Sequence, residues 1–301
     1  MKTRRLLVVA VVTASVISGL TVATPVGAAT KAATKPAVTQ PKPCGGEVVR
    51  KSTGGNWTCT FDDEFNGTSL NTKDWTAVNT ATMGARGGQE CNTSKNVRET
   101  QGVLQFVALR TAPNTACGRY ETDYSSGMVI TEGKFSQTYG RFEIRAKFPA
   151  GSGFQPAFWL LPQDPNAGKT YEYGEIDVAE AYSHIPSRVA PHLHFVGTPG
   201  TPGRGVRCDV PTSQTAYHTY AVEWTPTLMT FVYDNKVCWS TTWRPKLGYA
   251  PPLAAMPKPF DQPFYVIIQL AVGGKKTPTN RPKPTTPFPA YMNVDYLRVW
   301  K

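Results

Sequence analysis

The sequence contains no long block of Ala, Glu, Lys and Leu, and no stretch of useful length in which apolar residues recur every 3.6 positions. A mainly helical architecture is therefore excluded. No CxxC pair lies near histidine, which argues against a structural zinc site. What the chain does contain, 26 Gly, 26 Pro and 11% aromatic residues, is typical of β-structure rich in turns.

Acidic residues are absent before Cys44, and the six basic residues of that segment account for more than half of the formal net charge of +11. The rest of the chain carries +5, which is a modest basic excess. No basic stripe interleaved with aromatic side chains is present, so we expect no nucleic-acid partner. The charge favours solubility or adhesion to an anionic cell wall.

The first 29 residues combine a basic start, an apolar run and small residues at their end. This pattern predicts a secretory signal peptide at 1–29. A membrane anchor is the alternative, because the apolar run from Leu6 to Ala23 is nearly long enough to cross a bilayer. Residues 30–43, rich in Thr, Pro and Lys, predict a linker. We therefore expect a secreted, extracellular protein with one folded domain at 44–301 and no membrane contact after cleavage.

All six cysteines lie in the predicted exported domain. An even number of cysteines outside the cytosol predicts disulfide bonds. The sequence allows many pairings, and we choose closure between nearest neighbours along the chain. The predicted pairs are Cys44 with Cys59, Cys91 with Cys117, and Cys208 with Cys238.

Short segments rich in β-branched and aromatic residues recur along the domain, several with alternating polarity. They predict an all-β fold made of two antiparallel sheets packed face to face, with a ligand across the exposed face of one sheet. The predicted strands are 103–109, 140–149, 218–224, 229–235, 264–274 and 292–300.

Three acids stand close together in the segment GEIDVAE: Glu175, Asp177 and Glu180. Side chains alternate between the two faces of a strand, so Glu175 and Asp177 share a face, whereas Glu180 falls on the other face. A β-bulge at Val178 and Ala179 adds one residue and returns Glu180 to its companions. The sequence therefore predicts three carboxylates on one face beside a bulge.

Like charges a few ångströms apart raise the pKa of at least one member, which is unfavourable unless chemistry uses it. Glycoside hydrolysis does use it, because one carboxylate attacks the anomeric carbon while a second donates a proton to the leaving oxygen. An EF-hand calcium site is excluded, because its ladder of acids and glycine is absent.

Several segments occur in an order that resembles glycoside hydrolase family 16, from about Phe61 to Lys301. They are FDDEFNGTSLNTKDW, GRFEIRAKFPAGSGFQPAFWLLP, GEIDVAE, YAVEW, FYVIIQLAVGG and MNVDYLRVW. The resemblance implies a β-jelly-roll sandwich with a concave substrate cleft, and hydrolysis with retained anomeric configuration. It also implies Glu175 as nucleophile, Asp177 as its assisting acid and Glu180 as general acid/base.

The spaced E-x-D-x-x-E form is similar to laminarinase-like endo-β-1,3-glucanases, which implies a β-glucan as the polysaccharide partner. Mixed-linkage glucan, agar or another galactan, and transglycosylation stay open as alternatives. A carbohydrate-binding wall protein without turnover is the alternative from another class. We expect a monomer.

Four further residues beside the acids are candidates for substrate contact. Trp159 is a candidate sugar platform, with plain core packing as the alternative. Gln155 stands where many laminarinase-like members have Trp, which places stacking at one subsite in question. His192 and His194 share a face by period two, and the resemblance favours His194 for a hydrogen bond to the acid/base or to substrate. A structural histidine and metal binding by the pair are the alternatives.

No cofactor is expected to be required. The resemblance allows one structural calcium ion, with Asp295 and the carbonyl of Gly102 as ligands. Calcium needs about six oxygens, so these two residues are an incomplete set.

Overall fold

A computed structural model of the chain describes residues 42–51, 54–164, 174–195, 204–243, 257–273 and 278–301. The predicted signal peptide and the predicted linker as far as residue 41 lie outside these residues. Within the described ranges, no helix has the length and apolar character needed to cross a bilayer.

Strands dominate the described residues, accompanied by one four-residue α-helix and three short 3₁₀ helices. The strands are β1 (Cys59–Asp63), β2 (Thr76–Ala77), β3 (Cys91–Asn92), β4 (Val97–Thr100), β5 (Val103–Cys117), β6 (Tyr120–Ser126), β7 (Met128–Ile130), β8 (Gly140–Lys147), β9 (Phe154–Pro162), β10 (Glu175–Glu180), β11 (Arg188–His194), β12 (Arg204–Gly205), β13 (Cys208–Asp209), β14 (His218–Trp224), β15 (Met229–Tyr233), β16 (Lys236–Thr241), β17 (Phe264–Val272) and β18 (Ala290–Trp300). The helices are α1 (Thr80–Met83) and the 3₁₀ turns Pro43–Gly46, Ser94–Asn96 and Pro278–Asn280.

The strands form two sheets, which confirms the predicted all-β sandwich. The first, here called the cleft sheet, runs in the order β12, β11, β10, β9, β17, β7, β2, with β13 paired to β11. The second, here called the outer sheet, runs in the order β16, β15, β14, β8, β18, β5, β6, β3. In addition, β1 pairs with β18 and β4 pairs with β5. The described pairings are antiparallel except that of β3 with β6.

The core lies between the two sheets because one face of each strand is apolar. In β9, Phe158 and Leu160 are fully buried in this core together with Ile144 of the outer sheet. Their neighbours on the other face, Trp159 and Leu161, pack instead with a second, smaller apolar cluster. The alternation along β9 therefore builds a core on one side of the cleft sheet and an apolar surface on the other.

The three predicted disulfides are present, Cys44–Cys59, Cys91–Cys117 and Cys208–Cys238. The last of them joins β13, which pairs with the cleft sheet, to β16 of the outer sheet. It therefore links one end of the cleft sheet to the opposite layer of the sandwich.

One strand is much longer than the sequence predicts. The prediction of 103–109 stops where Pro113 and Asn114 interrupt the pattern, but β5 continues to Cys117. It pairs first with β18 and then with β6, with a shift of register between Arg110 and Thr115. The irregularity absorbs the turn-forming residues without ending the strand.

Candidate active site

A row of directly opposed residues crosses the cleft sheet from β11 to β7. His192 faces Asp177, Asp177 faces Trp159, Trp159 faces Ile267, and Ile267 faces Ile130. Directly opposed residues in an antiparallel pair project to the same face. Asp177 therefore shares one surface with the indole of Trp159 and with the apolar side chains of Ile267 and Ile130.

The predicted bulge brings Glu180 to that same surface. Asp177 is opposite Trp159 and Glu180 is opposite Ala157, so three positions along β10 span two along β9. The carbonyl oxygen of Val178, inside the bulge, accepts a hydrogen bond of 2.8 Å from the hydroxyl of Tyr233 on the outer sheet. A buried carbonyl that has lost its ladder partner needs such a donor, and Tyr233 supplies it through the core.

The surface beside the acids is a cleft with a cavity of about 580 Å³. Its floor is largely apolar because the smaller apolar cluster contributes to it. Its polar groups are the three acids of β10 together with Gln155, Gln269, Arg86 and Glu132. The lining includes Glu175, Asp177, Glu180, Gln155, Trp159, Gln269, Val78, Met128, Ile130, Tyr265 and Ile267. A second cavity of about 550 Å³ lies on the outer sheet, but its lining has no carboxylate, so we assign the site to the cleft.

The two histidines of β11 have different nearest acids, although His192 Nδ1 also lies 4.0 Å from Asp177 Oδ2. His194 Nε2 lies 2.9 Å from Asp177 Oδ2 and 3.8 Å from Glu175 Oε1. His192 Nδ1 lies 3.2 Å from Glu180 Oε2. The register sets His194 opposite Glu175 and leaves His192 beside Glu180. Of the two contacts predicted for His194, the one with the acid/base is therefore made by His192, and the one with substrate stays a prediction.

Gly205 makes room for the imidazole of His192. It is the residue of β12 directly opposite His192. A Cβ atom at this position would lie only 1.9 Å from the Cδ2 atom of His192. Any larger residue would therefore displace the ring from Glu180.

Glu180 also accepts hydrogen bonds on its other carboxylate oxygen. The side-chain amide of Gln155 donates to Oε1, and the hydroxyl of Tyr182 donates to the same atom at 3.2 Å. Gln155, predicted to stand at a sugar subsite, therefore lines the cleft and also holds this carboxylate in place.

The environments of the acids shift their pKa values in opposite directions. Burial, followed by the charge of Asp177, raises the pKa of Glu175 well above its usual range. Burial, followed by the charge of Glu180, raises the pKa of Asp177. Burial also acts to raise the pKa of Glu180, but hydrogen bonding and charge from His192, with help from Gln155 and Tyr182, outweigh it and lower this pKa.

The pKa of His192 moves together with that of Glu180. Burial acts to lower the pKa of the imidazole, but the hydrogen bond and the charge of Glu180 outweigh it and raise this pKa. Proton binding is therefore favoured at Glu175, Asp177 and His192 and disfavoured at Glu180.

The residues predicted to bind calcium remain an incomplete set of ligands in the structure. Asp295 Oδ2 lies 2.6 Å from the guanidinium of Arg145, which already neutralises the carboxylate. No grouping of donor side chains around one point within the described residues includes Asp295. One paired carboxylate and the carbonyl of Gly102 fall short of the roughly six oxygens that calcium requires, so the ion stays a prediction.

A family model for glycosyl hydrolases family 16 matches residues 52–286, which contain the cleft and its acids. The chain belongs to glycoside hydrolase family 16. The family-level resemblance read from the segment GEIDVAE and its neighbours is thereby confirmed.

Individual relatives extend this finding. The chain is 36% identical over 261 residues to glucan endo-1,3-beta-glucosidase A1 of Niallia circulans, covering 80% of this chain and 37% of that protein. It is 37% identical over 217 residues to a beta-glucanase of Rhodothermus marinus, covering 69% and 71% respectively. The X-ray structure of the laminarinase from Rhodothermus marinus matches with a TM-score of 0.70 at 33% identity, covering 81% of this chain and 97% of that one. The chain thus spans little more than a third of the first relative.

Three features of the site do not follow from the motifs of the sequence. His192 was placed beside the acids, but its contact with Glu180 depends on strand register. Tyr182 follows the last acid and gave no signal of its own. Gln269 is the only amide of β17, whose other residues are aliphatic or aromatic. A single amide in such a strand is a usable signal of a polar site.

Proposed function

We propose that this family 16 protein is a secreted glycosidase that cleaves β-1,3-glucosidic bonds inside β-glucan chains, with retention of anomeric configuration. The observation that carries the proposal is the bulge in β10, which aligns Glu175, Asp177 and Glu180 along an open cleft. The names of the relatives support a β-glucan as the substrate. Secretion rests on the predicted signal peptide.

The proposed reaction has two displacements. In the first, a carboxylate oxygen of Glu175 bonds to the anomeric carbon while Glu180 gives its proton to the departing glycosidic oxygen. In the second, Glu180 removes a proton from water, the water oxygen bonds to the anomeric carbon, and the bond to Glu175 breaks. Two inversions at the same carbon give net retention. Asp177, bonded to His194, shares a proton with Glu175 and so limits the charge beside it.

The proton that Glu180 needs is available from His192. The imidazolium with an ionised Glu180 and the neutral imidazole with a protonated Glu180 carry the same net charge and differ by one proton transfer across the 3.2 Å contact. A sugar that displaces water from the cleft favours the neutral form of the pair, because charge separation is less stable in a dry site. The lowered pKa of Glu180 in the free protein is therefore compatible with its role as an acid.

The cleft floor offers groups that suit a pyranose ring. Trp159 lies beside Asp177 and presents an indole to the cleft, which supports stacking against the apolar face of a sugar. Within the described residues, the indole Nε1 of Trp159 and the side-chain carbonyl of Gln269 are buried without a hydrogen-bond partner. A donor and an acceptor left unpaired on one floor match sugar hydroxyls, which accept and donate.

The function is tested by following reducing ends released from laminarin, lichenan, agarose and xyloglucan, with the anomeric form of the first product read by NMR. We expect cleavage of laminarin, internal fragments and a β-configured product. Preferred cleavage of lichenan or agarose would move the substrate to mixed-linkage glucan or galactan. Retention of laminarin on an affinity gel without any cleavage would establish a binding protein instead.

A further prediction concerns Gln155. Its amide donates to the ionised form of Glu180 and so lowers the pKa of that carboxyl. We expect Gln155→Ala to raise this pKa and to move the alkaline limb of the pH profile of kcat/KM to higher pH. Gln105→Ala is the matched control, because Gln105 lies on the outer sheet and bonds to Arg98 and Asn293. An alkaline limb that stays in place or moves to lower pH contradicts the assignment.

A further inference from the structure

Beside Glu180, next to the cleft, lies a smaller cavity of about 290 Å³. Glu180 lines both cavities, so a chain of sugars held at the acids reaches this one with its neighbouring residue. The two cavities differ in chemistry, because the large one has an apolar floor and the small one is lined by basic side chains. The basic residues are His184, Arg188, His192 and Arg207.

Within the described residues, neither arginine of this cavity forms an ion pair, although Asp209 lies directly opposite Arg188. Asp209 and Arg188 face each other in the pairing of β11 with β13, yet their charged groups are farther apart than an ion pair allows. Glu180 is matched by His192. The lining therefore holds two exposed arginine side chains that form no ion pair within the described part of the chain, with Asp209 as a neighbouring acid.

The backbone that carries these groups is held in place. Arg207 directly precedes Cys208, whose disulfide to Cys238 ties this segment to the outer sheet. Cys208 is in turn paired with Val189, next to Arg188. A covalent link and a strand pairing thus fix the backbone at the two arginines, whereas their side chains are exposed.

His184 is also oriented. Its Nδ1 atom lies 3.0 Å from the side-chain oxygen of Asn280, which is fully buried. The contact with Asn280 therefore orients the imidazole of His184, which is one of the residues that line the cavity. Three nitrogen-bearing groups on separate elements converge on one small space beside the acids.

A neutral glucan can accept hydrogen bonds from these guanidinium groups through its hydroxyls, but an anionic group is the stronger acceptor. Guanidinium groups bind planar carboxylates and sulfate oxygens with paired, charge-assisted hydrogen bonds. We propose that this cavity binds an anionic substituent, a carboxylate or a sulfate, on the sugar next to the one held at the catalytic acids. The natural substrate is then an acidic or substituted β-glucan, and this inference rests on the proposed function of the same cleft.

The test compares three polymers of matched length: neutral β-1,3-glucan, its carboxymethylated form and its sulfated form. The quantity measured is the ratio of kcat/KM on each anionic polymer to kcat/KM on the neutral one. We expect Arg188→Gln and Arg207→Gln each to lower this ratio by about fivefold, as loss of one partly exposed charge pair does. Arg207→Lys should retain part of the preference, since the charge remains without the paired geometry.

Arg50→Gln is the matched control, because Arg50 is exposed and remote from the cleft. A fall in the ratio for both cavity variants but not for the control supports the proposal, and the polymer with the larger fall identifies carboxylate or sulfate. Equal ratios in the wild type, both variants and the control would overturn it. Binding of the same three polymers, measured by calorimetry, repeats the comparison without turnover. If the protein cleaves none of them, the binding ratios still show whether the cavity prefers an anionic polymer.

Discussion

Glu175→Gln should abolish hydrolysis of laminarin, with a loss in kcat/KM on the order of 10⁴-fold, because the amide cannot form the covalent intermediate. The shape of the side chain is kept, so substrate binding should persist. Product release measured by reducing-end assay and binding measured by calorimetry separate these two effects. Glu121→Gln, a change at an exposed glutamate, is the matched control. Retained turnover in Glu175→Gln would remove the nucleophile assignment.

The same substitution should make the protein more stable at neutral pH. The folded-state pKa of Glu175 is raised above its unfolded value by burial and by the charge of Asp177. The folded protein therefore binds this proton more tightly than the unfolded chain does. Its contribution to stability is present below the unfolded pKa and is lost as pH rises through the folded pKa. Denaturant unfolding between pH 4 and pH 8 should show a smaller fall in stability with rising pH for Glu175→Gln than for the wild type. A fall equal to that of the wild type would contradict the raised pKa.

Glu180→Ala should lower kcat/KM on laminarin by about 10²- to 10⁴-fold, because the leaving oxygen no longer receives a proton. The loss should be much smaller on aryl β-glucosides with good leaving groups, since these depart without protonation. Added azide should then accelerate turnover. It needs no general base, and its nitrogen bonds to the anomeric carbon as the bond to Glu175 breaks.

The stereochemistry of the azide product makes this experiment decisive. Attack on the glycosyl-enzyme gives the β-azide, with retention. Chloride at the same ionic strength is the control for a salt effect. An α-azide would exchange the proposed roles of Glu175 and Glu180, and a complete lack of rescue would count against Glu180 as the acid/base.

The bulge in β10 shows how far local sequence reasoning reaches. The spacing of Glu175, Asp177 and Glu180, together with alternation along a strand, requires one extra residue if all three acids are to share a face. The structure places that irregularity after Asp177, as expected. The hydrogen-bond donor to the bulge carbonyl of Val178 could not be predicted in this way. Tyr233 lies 55 positions away from Val178 and on the other sheet, and nothing near the motif indicates it.

The sequence by itself determined the all-β class, the family and the position of the three acids, and it indicated the disulfide pairing that the structure confirms. These properties follow from alternation within single strands, from cysteine order and from short motifs, all of which are local in the chain. Only the tertiary structure decided which histidine contacts which acid, that Gln155 binds Glu180, and that Asp295 is held by Arg145. It also decided that Arg188 and Arg207 converge beside Glu180. Each of these depends on strand register and on contacts between distant elements, and a shift of one or two residues in pairing would rearrange every one of them.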